Sequence, residues 1–280
     1  MYSTSLKKLI FTCVLMILIS LAPVWSATDK TSEDYLKNKR HFAIMNPLAE
    51  SIGQRVIKKA LKKETKGKYK VKLDGYTLSS MKKGIFRDLQ INGKNLVIED
   101  VEVPYVKLRT ETDYNWVDYS QDTVKFKSDI MLRYELGMDE NCVNSALKTE
   151  KYQKKLQSVN KRAYPLFTIN DVRLRIRHDK LHIIMEYNFP IKPAKKNRTF
   201  MVSSGINVIN GRIKLSNIGF DNAYGNLPLD KVTNLVNLVD PLSFTLDLID
   251  NKKCNGVIES IKIVDNVIIV NGKIYIKGEK

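Results

Sequence analysis

Apolar and polar residues alternate with period two through most of this chain, a pattern that directs it toward sheets with one buried face. Val124, Phe126, Ile130, Leu132, Tyr134 and Leu136 fall on one side of an extended backbone, and Lys125, Lys127, Asp129, Arg133 and Glu135 on the other. Further along, Val172, Leu174 and Ile176 alternate with Arg173, Arg175 and Arg177. After a turn near Asp179 and Lys180, Leu181, Ile183, Met185 and Tyr187 return along the same face, which predicts a hairpin. Asn-Gly followed by a basic residue occurs at Asn92-Gly93-Lys94, Asn210-Gly211-Arg212 and Asn271-Gly272-Lys273, each beside a strand-like run. Asn-Gly supplies the positive φ of tight hairpin turns, so turn chemistry accounts for the recurrence without an internal repeat.

Three helical segments interrupt the strands. Asn46 and Pro47 supply a cap and a first-turn proline, after which Leu48, Ile52, Val56, Ile57, Ala60 and Leu61 recur at helical spacing. Lys58, Lys59, Lys62 and Lys63 suit the negative end of the helix dipole, and Gly67 can end the segment. Asp139 caps a second helix carrying Val143, Ala146, Leu147 and Leu156. A third runs from Asp230 through Val232, Leu235, Val236 and Leu238 to a stop before Pro241. The pattern predicts a mainly antiparallel α+β domain over residues 46–280, with 161–165 as the one candidate division into lobes.

The first 26 residues read as a secretory signal: Lys7 and Lys8 precede an apolar run from Leu9 to Leu21, and Pro23, Val24 and Ser26 offer a small-residue cleavage site. That run is about 13 residues long, short of the roughly 20 that span a bilayer. Residues 27–45 are charged and poor in apolar side chains, and read as a tether. The expected location is therefore outside the cytoplasm, in the periplasm or cell envelope, either released or held at a membrane.

The formal net charge of +17 stays strongly positive once Lys7 and Lys8 are removed. For an exported chain, anionic headgroups or acidic envelope polymers are more accessible partners than nucleic acid. Cys142 and Cys254 remain in the mature chain, either as one disulfide or as two free thiols. Nothing nominates a catalytic residue, a metal site or a cofactor. His41, His178 and His182 lack carboxylate or cysteine neighbours at ligand spacing, and no GxSxG elbow is present. Ser203-Ser204-Gly205 reads as a strand end. Gly205, Gly211, Gly219 and Gly225 are too far apart for a phosphate loop, and Asn197-Arg198-Thr199 matches a glycosylation sequon.

The segment VKFKSDIMLRYELGMDENCVNSALKTEKYQKKL (124–156), a strand running into a capped helix with Asn144, Ala146 and Leu147, resembles the bacterial LmeA-like phospholipid-binding family. The hairpin DVRLRIRHDKLHIIMEYNF, the strand NGRIKLSNIGF, the Asp240-Pro241-Leu242-Ser243-Phe244 step and the closing VIESIKIVDNVIIVNGKIYIKG follow in the family's order. The first helix and YKVKLDGYTLSSMKKGIFRDLQINGKNLVIEDVEV fit its N-terminal part, so the resemblance covers nearly the whole mature chain. The insertion DYNWVDYSQD and the basicity depart from it.

This resemblance implies a tubular lipid-binding fold: a long curved antiparallel sheet wrapped around an amphipathic helix, leaving an apolar groove. It implies binding of phospholipid, in particular anionic phospholipid, without catalysis. On that reading Leu48, Ile52, Val56, Ile85, Phe86, Leu132 and Leu246 are candidate groove wall, with core packing as their alternative role. Lys82, Lys83 and Arg87 flank Ile85-Phe86 and are candidates for contact with headgroups at a membrane surface. Two other readings compete: a structural envelope protein whose basic surface holds acidic polymers or a protein partner, and a hydrolase assembled from distant residues.

Overall fold

The computed structural model describes residues 46–75, 86–98, 101–111, 117–118, 125–126, 129–163, 168–188, 198–220, 236–237, 239, 241–242 and 254–277. The expected signal, the tether and His41 lie outside them, as does most of the third helix. Its described residues include Val236 and Val239, both buried; the backbone is also helical at Pro241 and the buried Leu242, where the sequence predicts a stop. The long single sheet expected from the resemblance is two large antiparallel sheets. Strands β1 (Lys66–Gly75), β2 (Phe86–Ile98), β3 (Val101–Thr110), β6 (Ile130–Met138), β11 (Cys254–Val264) and β12 (Val267–Ile276) form six strands in the order β1-β2-β3-β6-β12-β11. Strands β7 (Thr168–Arg177), β8 (Lys180–Asn188), β9 (Arg198–Ile209) and β10 (Arg212–Phe220) form four, in the order β10-β9-β8-β7. A short ribbon pairs β4 (Val117–Asp118) with β5 (Lys125–Phe126).

Phe126, read as part of the same alternating strand as Ile130, lies in the separate β4–β5 ribbon, and from Ile130 onward the alternation is the burial pattern of the strand. Ile130, Leu132, Tyr134 and Leu136 are buried along β6, and Val172, Leu174 and Ile176 along β7. Both sheets contribute to one continuous cluster of buried side chains. Helix α1 (Asn46–Glu64) lies on β1, burying Ile57 and Leu61. Burial of two such side chains is worth roughly 1.5–3 kcal/mol each. Thr65 closes the helix by donating from its backbone and its hydroxyl to the Leu61 carbonyl, each at 3.0 Å. Gly67 follows with φ 145°, a conformation closed to other residues.

Of the three Asn-Gly steps, only Asn210-Gly211 is a turn, with φ 53° and 70°. The other hairpin turns use His178-Asp179 and Asp265-Asn266, again with positive φ at both residues. Asn92-Gly93 and Asn271-Gly272 lie inside β2 and β12, because their glycines serve a packing role instead. Gly93 pairs directly with Tyr69, Gly272 with Tyr134, and Gly137 with Tyr105. At each pair the tyrosine ring lies over the glycine, where a Cβ would collide with it or crowd it. Aromatic cover of this kind supplies the apolar contact that a glycine in a sheet otherwise forfeits.

The single helix expected after Asp139 is two. Asp139 does cap α2 (Glu140–Lys148), accepting from the Cys142 backbone N–H at 2.8 Å. Thr149 then takes an extended ψ of 146°, ending α2, and its hydroxyl meets the Tyr152 N–H at 3.4 Å as α3 (Glu150–Ala163) begins. The break lets α2 pack on β3, β6 and β7 while α3 follows β7. Together they cover the open edge of β7. Asn144 donates to the Leu174 carbonyl at 2.9 Å and accepts from the Leu174 N–H at 2.8 Å. Asn160 does the same at Ile169, at 2.8 Å each way, and Glu140 accepts from the Ile176 N–H at 2.7 Å. Side chains thus replace a neighbouring strand, removing an edge that would otherwise invite pairing with another chain.

Candidate functional site

Of the residues expected to line a groove, the three with described side chains do not share one surface. Phe86 at the start of β2 and Leu132 on β6 are 2% and 4% exposed and belong to the packed core. Ile52 faces the opposite way: it is 53% exposed on the outer side of α1, because the helix turns Ile57 and Leu61 toward β1. The side chains of Leu48 and Val56, and Ile85 and Leu246 altogether, lie outside the described residues. So do Lys82 and Lys83. Arg87, the remaining headgroup candidate, is exposed and forms an ion pair with Asp74 at 3.6 Å, a carboxylate that would compete with any phosphate.

An apolar surface does lie elsewhere, where the two sheets meet. Strand β11, the edge of the six-stranded sheet, packs against β9 and β10 of the other. The turn between β9 and β10 reaches it, with the Cβ position of Gly211 3.5 Å from the Val257 side chain. Ile206 and Val208 on β9, Leu215 on β10, and Ile258, Ile261 and Ile263 on β11 are only half-buried in this seam. Their neighbours on β12, Ile268, Val270 and Ile274, are fully buried. A register shift in β11 between Ile258 and Ser260 sets Ile258 opposite Gly272, on the same face as Ile261 and Ile263. The spacing of three between Ile258 and Ile261 was the available signal, and strict period-two reading passes over it.

On the outer face of the six-stranded sheet, the charges of its central strands and of β11 are paired. Arg133 pairs with Glu111 and with Glu259 at 3.4 Å, and Lys273 reaches Glu111 at 3.4 Å and Glu259 at 3.1 Å. Burial alone would raise the Glu111 carboxyl, but the two cations outweigh it and hold it below the ordinary carboxylate value. Lys107 with Glu135 at 2.7 Å and Arg109 with Asp88 at 3.3 Å extend the pairing. These carboxylates, with Asp139 and Glu140 bound to backbone N–H groups, are committed to structural partners.

The remaining reactive groups are likewise occupied or hidden. Ser204 lies inside β9, not at a strand end, and its hydroxyl donates within reach of two carbonyls, those of Gly205 at 2.7 Å and Ser216 at 2.9 Å, which share its one proton. Cys142 is a buried free thiol, pushed up to about 12 by burial and by Asp139 and Glu102. Cys254 sits level with Ile276 and Ile130, whereas Cys142 follows Met138 at the far end of β6. Eight residues of strand separate those levels by about 26 Å, well beyond the roughly 7 Å that a disulfide tolerates. Among the described residues, no group of three or more His, Cys, Asp or Glu side chains is arranged to hold a metal ion. His178 sits in an exposed turn, and His182 pairs across strands with Arg175.

No family model, no curated protein and no solved structure matches this chain.

Proposed function

We propose that this chain is an exported, non-enzymatic phospholipid-binding protein that sequesters or transfers lipid in the bacterial cell envelope. The observation that carries the reading is that Ile206, Val208, Leu215, Ile258, Ile261 and Ile263, on the inner faces of two sheets where β9 and β10 meet β11, are only half-buried. Acyl chains require such a surface: each methylene in water costs about 0.8 kcal/mol, so a stranded 16-carbon tail costs on the order of 12 kcal/mol. The resemblance of the strand and helix order to LmeA-like proteins supports the same reading. The groove is therefore assigned to the β9–β11 seam and no longer to Ile52, Phe86 and Leu132.

The test is to purify the protein without detergent and measure phospholipid in an organic extract by mass spectrometry, scaled to protein. Near-stoichiometric lipid in the parent, lost in folded Leu215→Asp and Ile261→Asp variants, is expected. Lipid absent from the folded parent, with no uptake from anionic vesicles, would refute it. A second reading, a structural envelope protein that holds acidic polymers, is favoured by one feature. Lys66, Lys68, Lys70 and Lys72 form an exposed row on edge strand β1, with Lys94 beside Lys68 on β2. Salt-sensitive capture of an anionic polymer by lipid-free protein would select that reading.

A further inference from the structure

We infer that the outer face of α1 is a docking surface for an anionic phospholipid bilayer, separate from the β9–β11 seam. The inference does not depend on lipid occupying the seam. At about 100° per residue, Ile52, Arg55, Lys59, Lys62 and Lys63 fall within roughly a third of the helix circumference. All five are exposed, opposite the Ile57 and Leu61 side that rests on β1. Lys58 borders the same face and is also exposed. No described carboxylate answers these cations: Glu50 is turned inward, accepting the Gly75 N–H at 3.0 Å. This contrasts with the outer face of the six-stranded sheet, where Arg133 and Lys273 are bound to Glu111 and Glu259.

The choice of a bilayer over a linear polyanion rests on Ile52, 53% exposed on the same face, one turn before Arg55 and two before Lys59. A helix lying in the plane of a headgroup layer uses both components, cations for the phosphates and an apolar side chain for the acyl boundary. A dissolved polymer would use only the cations. The placement has a geometric consequence. Strands β1 and β11 are opposite edges of the six-stranded sheet, five strand spacings or about 24 Å apart. A protein docked through α1 therefore has its seam about five strands along the sheet from the docking helix.

Binding of the purified protein to phosphatidylcholine vesicles, with and without phosphatidylglycerol, tests this by co-sedimentation. Each cation near an anionic surface contributes about fivefold in affinity, so Lys59→Gln/Lys62→Gln/Lys63→Gln should lose about a hundredfold of the preference for anionic vesicles. The control Lys180→Gln/Lys214→Gln/Lys262→Gln removes equal charge from exposed positions on β8, β10 and β11 and should retain the preference within about fivefold. Ile52→Ser should weaken vesicle binding about threefold or more while leaving capture by a soluble polyanion unchanged. No preference for anionic vesicles, or equal losses from the two lysine triples, would overturn the proposal. So would full vesicle affinity in Ile52→Ser, which would make the face a general polyanion site. Circular dichroism confirms that each variant is folded, and lipid extracted from the seam should be the same in all of them.

Discussion

Replacing Asn144 with alanine removes two hydrogen bonds at once, the donation to the Leu174 carbonyl at 2.9 Å and the acceptance from its N–H at 2.8 Å. Both backbone groups sit on the edge of β7, where no strand replaces the lost partner. A net contribution of about 1 kcal/mol per bond gives about 2 kcal/mol. The site is half-buried, so water recovers part of the N–H and carbonyl energy, and alanine regains roughly 0.5 kcal/mol of helix propensity within α2. The expected loss is about 1.5 kcal/mol, a fall in Tm of about 3–6 °C for a protein of this size. Urea denaturation of Asn144→Ala beside Asn141→Ala, an exposed position on the same helix, isolates the effect. Native-state hydrogen exchange should show the Leu174 amide losing protection first. A stability equal to that of Asn141→Ala, with Leu174 still protected, would refute the view that side chains stand in for the missing strand.

Gly272→Val places a Cβ 2.2 Å from the Val257 carbonyl oxygen and 2.7–2.8 Å from the Tyr134 hydroxyl and ring, so soluble yield should collapse or stability fall by about 3 kcal/mol or more. Asp139→Ala deletes the cap on the Cys142 N–H and should cost about 1 kcal/mol, read as a lower urea midpoint. Cys142 should resist a thiol reagent at pH 8 in the folded protein and react on unfolding, since burial and its neighbouring carboxylates push it up to about 12. Tyr134, also pushed up to about 12 by burial and Glu259, shares its sign with Cys142. Both groups hold their protons in the folded state above the pH at which the unfolded chain releases them. Their contribution to stability is therefore complete below about pH 9 and declines as pH rises toward 12, a fall that urea titrations across that range should show.

The strands were legible because period-two alternation is written in the chain wherever one face is buried, as along Ile130 to Leu136 and Val172 to Ile176. The cap at Asp139 was legible for the same local reason: a carboxylate three residues before a free N–H satisfies it without any distant partner. The glycines misled because Asn-Gly has two uses that look identical in sequence. Asn210-Gly211 turns the chain, while Gly93 and Gly272 accept tyrosine rings that lie far away along the chain, 134 being partner to 272. The helix break at Thr149 was similarly hidden, because the residues on either side have helical patterns and only the packing of α2 on β3 and β7 requires the change of direction.

The candidate site divides along the same line. Sequence alone determined the alternating strands, the basic excess and the amphipathic first helix, since each depends on residues close together in the chain. It could not decide which apolar side chains are covered. Leu132 and Ile261 are equally apolar members of alternating strands, yet one is in the packed core and the other half-open in the seam. That difference comes from strand order: β6 lies inside the six-stranded sheet, and β11 lies at its edge against a second sheet that covers it only in part. Ile52, helical and apolar in sequence, is turned outward by the rotation that buries Ile57 and Leu61 on β1. Burial depends on which surfaces meet, and that is settled by contacts between residues far apart in the chain.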